Sequence, residues 1–96
     1  MRKSNENSLK EVIDQLLEQY KLRDRLNEVR IRQSWETIMG QAINKRTSSI
    51  RIKDNTLLIN VTSAPLREEL QYQRSKILEM MNKELGGEFL KVVIIQ

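Results

Sequence analysis

Apolar residues first recur at Leu9, Val12, Ile13, Leu16, Leu17 and Tyr20, the i, i+3, i+4, i+7 spacing of one helix face. Ser8-Leu9-Lys10-Glu11 just ahead of them has the form of a capping box, in which a Ser hydroxyl and a Glu carboxylate satisfy free amides of a first helical turn. A helix over 9–20 follows. Residues 24–45 hold no proline and the single Gly40, which predicts a second helix with Asp24 as its N-cap. Its apolar positions change sides. At about 100° per residue, Leu26 and Val29 lie opposite Ile31, Trp35, Ile38 and Ala42. That division predicts either a break near Arg30 or, the preferred reading, a sandwiched helix, with Leu26 and Val29 against the first helix and the buried Trp35 stripe against a sheet. Gly40 within it reads as a point of close helix–sheet approach.

The period then becomes two. Ile50, Ile52, Leu57, Ile59 and Val61 alternate with Arg51, Lys53, Leu58 and Asn60, and Asp54-Asn55 between them tolerate the positive φ of a two-residue hairpin turn. Ile52 then pairs with Leu57 and Ile50 with Ile59, so these four share a face with Val61, while Arg51, Lys53, Leu58 and Asn60 point away. Ser63 and Pro65 open a third helix, whose stripe Leu66, Leu70, Ile77, Met81 and Leu85 ends at Gly86-Gly87. The closing run Phe89–Ile95 is short and β-branched, hence a third strand, parallel to the strand it joins through the helix. The fold class is α+β (α/β), order α-α-β-β-α-β, with a three-stranded mixed sheet and the helices on one face. Residues 1–8 form a flexible N-terminus and 9–96 a single domain, as suits a chain of 96 residues.

Composition narrows the chemistry. The chain is 39% hydrophobic and 31% charged, a globular balance. It has no cysteine, which removes disulfides and thiolate metal sites, and no histidine, which removes the commonest general base. Gly40, Gly86 and Gly87 fit no phosphate-binding glycine motif. Neighbouring carboxylates such as Glu68 and Glu69 point apart on a helix. The chain is expected to be non-enzymatic and to hold no cofactor or metal. No apolar run reaches the ~18 residues of a membrane span, so a soluble protein without a membrane partner is expected.

The net charge is +4. Residues 21–46 hold seven basic and three acidic side chains, so the excess is local. A localised basic surface is the footprint of a polyanion. Lys45, Arg46, Arg51 and Lys53 are close in sequence and are expected to form one patch at a sheet edge. Arg23, Arg25, Arg30 and Arg32 supply a second cluster, Arg25 with Arg32 on one face and Arg23 with Arg30 on another. With Tyr20, Trp35, Tyr72 and Phe89 each at a position suited to a core, binding would rest on phosphate contacts. Leu58, Val93 and Ile95 are expected on the open sheet face, where apolar residues mark a protein interface.

Trp35-Glu36-Thr37-Ile38-Met39-Gly40 resembles the W-x-x-[IV]-[VM]-G signature of the DciA family. The likeness continues through Ala42, Thr47, Leu57-x-Ile59-x-Val61, Ser63, Leu70, Met81-Asn82, Leu85-Gly86 and Val92-x-Ile94, over residues 9–95. The resemblance implies a KH-like domain lacking the GxxG nucleotide clamp, which is absent here too. It further implies an accessory role in bacterial DNA replication, with the replicative DNA helicase and single-stranded or duplex DNA as partners, in the cytoplasm at the nucleoid. The DNA contact would be weak and non-specific. An RNA- or ribosome-associated KH-like module, or a plain interaction or homodimer domain, are the alternatives.

Overall fold

The computed structural model describes residues 5–96, with side chains from residue 8. Helix α1 spans Asn5–Met39 and is followed by the one-turn α2, Gln41–Lys45. Strands β1 (Thr47–Lys53) and β2 (Thr56–Val61) form a hairpin, helices α3 (Ala64–Gln71) and α4 (Arg74–Leu85) follow, and β3 (Val92–Ile95) ends the fold. The sheet order is β1-β2-β3, with β1–β2 antiparallel and β2–β3 parallel. This is the expected α+β plan with a three-stranded mixed sheet. Residues 1–4, half of the segment expected to be flexible, lie outside the described residues, and α1 is already helical at Asn5.

The hairpin has the register its turn dictates. Ile52 faces Leu57 and Ile50 faces Ile59, while Asp54 and Asn55 take φ of 51° and 63°. Two positive φ values in a row make a type I′ turn, whose twist matches the strands. One face of the sheet buries Ile50, Ile52, Leu57, Ile59 and Val61 against Ile31 and Trp35 of α1, Leu70 of α3, and Ile77, Met81 and Leu85 of α4. Ser63 caps α3, its hydroxyl accepting from the Leu66 amide, and Gly86 closes α4 in the left-handed conformation at φ 81°.

Six expectations are corrected. The helices foreseen over 9–20 and 24–45 are one helix, because Lys21–Asp24 contains nothing that stops a helix; the interruption comes at Gly40. Gly40 has φ 98° and ψ 159°, and no atom lies within 4 Å of where its Cβ would be, so its role is backbone conformation and not close approach. The break also takes Ala42 out of phase with the Trp35 stripe and leaves it exposed. Since α1 is continuous, no first helix folds back onto Leu26 and Val29, and both are exposed.

The third helix is divided into α3 and α4. The Tyr72 and Gln73 amides bond back to Glu69 and Leu70 three residues earlier, closing α3 before α4 begins. Finally, Val93 and Ile95 face the core, and Val92 and Ile94 take the open face. Every residue of that strand is apolar, so its pattern alone does not fix its faces. Asn82 does much of that work: its amide donates to the Leu90 carbonyl and its side-chain oxygen accepts from the Leu90 amide, both at 2.9 Å, so Leu90 is buried and the strand enters in fixed phase.

Trp35 is fully buried, and its indole N–H donates to the Thr47 hydroxyl at 3.0 Å; that hydroxyl donates to the Ile43 carbonyl at 2.8 Å. One side chain thus joins α1, α2 and β1, and truncating such an aromatic costs about 3–5 kcal/mol.

Because Gly40 occupies a region of φ and ψ nearly closed to other residues, Gly40→Ala should destabilise the fold by about 1–3 kcal/mol despite the open space around it. Urea unfolding followed by Trp35 fluorescence measures this. An unchanged or raised midpoint would contradict the backbone role.

Candidate nucleic-acid interface

Strand β1 lies at an edge of the sheet, so the Ile50 carbonyl and Ile52 amide have no strand partner on their outer side. Helix α1 supplies one. The Glu28 carboxylate accepts from the Ile52 amide at 3.0 Å, and the Arg32 guanidinium donates to the Ile50 carbonyl at 2.8 Å. Four residues of helix advance about 6.0 Å and two residues of strand about 6.6 Å, so an antiparallel helix keeps step with the strand over this stretch. The edge is thereby closed to other strands.

Glu28 and Arg32 belong to a helix stripe that begins with Lys21 and Arg25, spaced i, i+4, i+7, i+11. Anchoring the lower part of the stripe to β1 sets its upper part beside the open sheet face. The result is an open groove of about 710 Å³, with Lys21 and Arg25 on the helical wall and Arg51 and Lys53 on the sheet wall. Its floor includes Leu58 and the Asn60 side chain, whose amide donates to the Ser49 hydroxyl at 2.7 Å. Beyond Leu58, its neighbour Ile94 and then Val92 carry an exposed apolar strip to the far edge.

The groove is not uniformly positive. Asp24 and Glu28 also line it, and the hairpin turn brings Asp54 near. Burial raises the Asp24 carboxyl above its usual range; the Asp54 and Glu28 carboxylates push the same way, and the Arg23 guanidinium opposes them.

Of the expected site residues, Arg25, Arg51 and Lys53 come together in the groove. Arg32 lies on the same helix stripe but is engaged with the strand edge. Arg23 and Arg30 do share the other face. The Arg23 guanidinium lies 5.5 Å from the centroid of the Tyr20 ring and 5.5 Å from that of Phe89, and Arg30 donates to the Glu84 carbonyl near the end of α4 at 3.1 Å. Lys45 and Arg46 are exposed but stand at the opposite end of β1, which spans about 20 Å. The patch of four expected from sequence proximity is therefore two sites. For the expected apolar interface, Leu58 is on the open face, whereas Val93 and Ile95 are not, and Val92 and Ile94 replace them. Lys21 was missed. The i, i+4 pair Lys21 and Arg25 signals it once the helix is read as continuous.

Among the described residues no group of three or more His, Cys, Asp or Glu is placed to hold a metal ion, and no helix is long and apolar enough to cross a membrane. The fold is thus a small α+β domain whose long helix and sheet enclose a groove lined by both basic and acidic side chains. Residues 8–95 match the model of the family described as Dna[CI] antecedent, DciA, and the chain belongs to the DciA family. That family is one of helicase loaders and accessories, associated with the replicative helicase and DNA replication. No curated protein matches the chain, nor does any solved structure.

The raised Asp24 pKa has a definite sign. The folded state holds the proton more tightly than the unfolded state, so stability falls as pH rises from the ordinary value of 3.8 through the raised one. Asp24→Asn should therefore be more stable than the parent at pH 7, with the advantage vanishing below about pH 3.8. Denaturant titrations at the two pH values check this, and equal stability at pH 7 would refute it.

Proposed function

We propose that this chain is a non-enzymatic accessory of the replicative helicase that holds nucleic acid, chiefly single-stranded DNA, in the groove between α1 and the open sheet face. The observation that carries this reading is the facing of Lys21 and Arg25 by Arg51 and Lys53 across one open groove. Cations on both walls suit a phosphate backbone lying along the cleft. The apolar strip Leu58, Ile94 and Val92 gives the bases a surface to rest on. That strip contains no aromatic side chain, so stacking contributes little and sequence preference is weak.

Asp24 and Glu28 keep the affinity modest, which suits a factor that must release the strand to the helicase. Family membership supports the replicative helicase as the protein partner and replication as the setting, and with it a place in the cytoplasm at the nucleoid.

Replacing Lys21, Arg25, Arg51 and Lys53 together by Glu should abolish binding of a single-stranded oligonucleotide, measured by fluorescence anisotropy. Lys45→Glu with Arg46→Glu, at the other end of β1, should leave most of it. In the parent, the logarithm of affinity should fall with the logarithm of salt at about −0.7 per phosphate contacted, or about −3 for four contacts. Salt-independent binding, or a fourfold reversal that binds as the parent does, would overturn the assignment. An RNA oligonucleotide held much more tightly than DNA would turn the reading towards an RNA-associated module.

A further inference from the structure

Helix α1 is longer than the body it serves. Its 35 residues extend about 52 Å, the molecule is 63 Å long and only 22 Å by 20 Å across, and contact with the body begins near Arg23. The preceding turns project as an arm. Along one side of it run Leu9, Val12, Ile13, Leu16, Leu17 and Tyr20, each 47–62% exposed, while Glu11, Gln15 and Glu18 run along the other. We propose that the apolar face of this arm is the surface on which a second copy of the chain docks, the two arms lying antiparallel.

Three features select this occupant. The stripe is its own complement when reversed. With the twofold axis between Asp14 and Gln15, Leu9 lies opposite Tyr20, Val12 opposite Leu17, and Ile13 opposite Leu16. Every apolar residue of the Leu9–Tyr20 stripe then meets another.

The position of the body forbids the parallel arrangement. The stripe lies on the face of α1 that seven residues beyond Tyr20 turns Asn27 inward, followed by Ile31 and Trp35. A parallel copy docked on that face would place its body in the space the first body fills. An antiparallel copy carries its body past Leu9, away from the first body, and ends its own arm near Arg23, where the first body begins.

The area also suffices. Six half-exposed apolar side chains offer about 500 Å² per copy, hence about 1,000 Å² in the pair, the size at which specific interfaces begin. A patch of that size is near the upper end of what monomers expose. An interface at this lower limit suits weak association, with a dissociation constant on the order of 10–100 µM. The docked pair carries its two basic grooves in separate bodies, one beyond each end of the paired arms.

The test uses the full chain. Sedimentation equilibrium should show the 11.4 kDa monomer giving way to a species of twice that mass as concentration rises through this range. Ile13→Glu with Leu16→Glu should abolish the larger species while Trp35 fluorescence and the unfolding midpoint stay as in the parent, since these residues lie outside the body. Orientation is read by cross-linking, the natural chain having no cysteine. A mixture of the Leu9→Cys and Tyr20→Cys variants should oxidise mainly to the mixed disulfide. A chain monomeric at 500 µM, a double Glu variant that still dimerises, or cross-linking of Leu9→Cys mainly to itself would each overturn the proposal. So would an arm that stays unpaired in the free chain and is covered only by the helicase.

Discussion

The contact on which the structure turns is that of Glu28 and Arg32 with the outer edge of β1. A three-stranded sheet has two edges, and an unpaired edge amide and carbonyl are both an energetic cost and an invitation to aggregate. Here a helix side chain answers each group, at a helical spacing that matches the strand's own. Trp35 adds a third tie, through Thr47, at the start of the same strand. With three ties spread over β1, the helix has little freedom to slide or swing. Two consequences follow from that rigidity. The residues upstream along the anchored stripe, Lys21 and Arg25, are held over the open sheet face, which makes the groove. The turns beyond them have nowhere to fold back, which makes the arm.

What the sequence reveals depends on how local the deciding physics is. The hairpin register was legible because Asp54-Asn55 and the period-two alternation independently require the same pairing. The Ser63 cap and the Gly86 stop were legible for the same reason, each being settled within one helical turn. The faces of β3 were not, since four apolar residues in a row satisfy either choice and a bracket from Asn82 on α4 fixes the phase. The continuity of α1 was obscured by its changing pattern. The apolar stripe stops at Tyr20 because the side chains next on that face, Arg23 and Asp24, are polar, and Leu22, Leu26 and Val29 then mark a different face that stays in solvent.

The same distinction governs the site. The pairing of Arg25 with Arg32 and of Arg23 with Arg30 followed from helical geometry. Grouping Lys45 and Arg46 with Arg51 and Lys53 failed because closeness in sequence is not closeness in space along an extended strand. Assigning function to all eight cations also overlooked that three of the arginines have structural partners: a strand carbonyl for Arg32, a helix-end carbonyl for Arg30, and two aromatic rings for Arg23. The groove is left with Arg25, Arg51, Lys53 and the overlooked Lys21.

The proposed function requires that nucleic acid lie in the groove held open by the α1–β1 contact. Its most direct test is residue-resolved NMR of the labelled chain during titration with a single-stranded oligonucleotide. The account predicts that amide shifts concentrate at Lys21, Arg25, Ser49, Arg51, Lys53, Leu58 and Asn60, with Lys45 and Arg46 nearly unmoved. Shifts confined to the α2 end of β1, or to the arm between Leu9 and Tyr20, would contradict it.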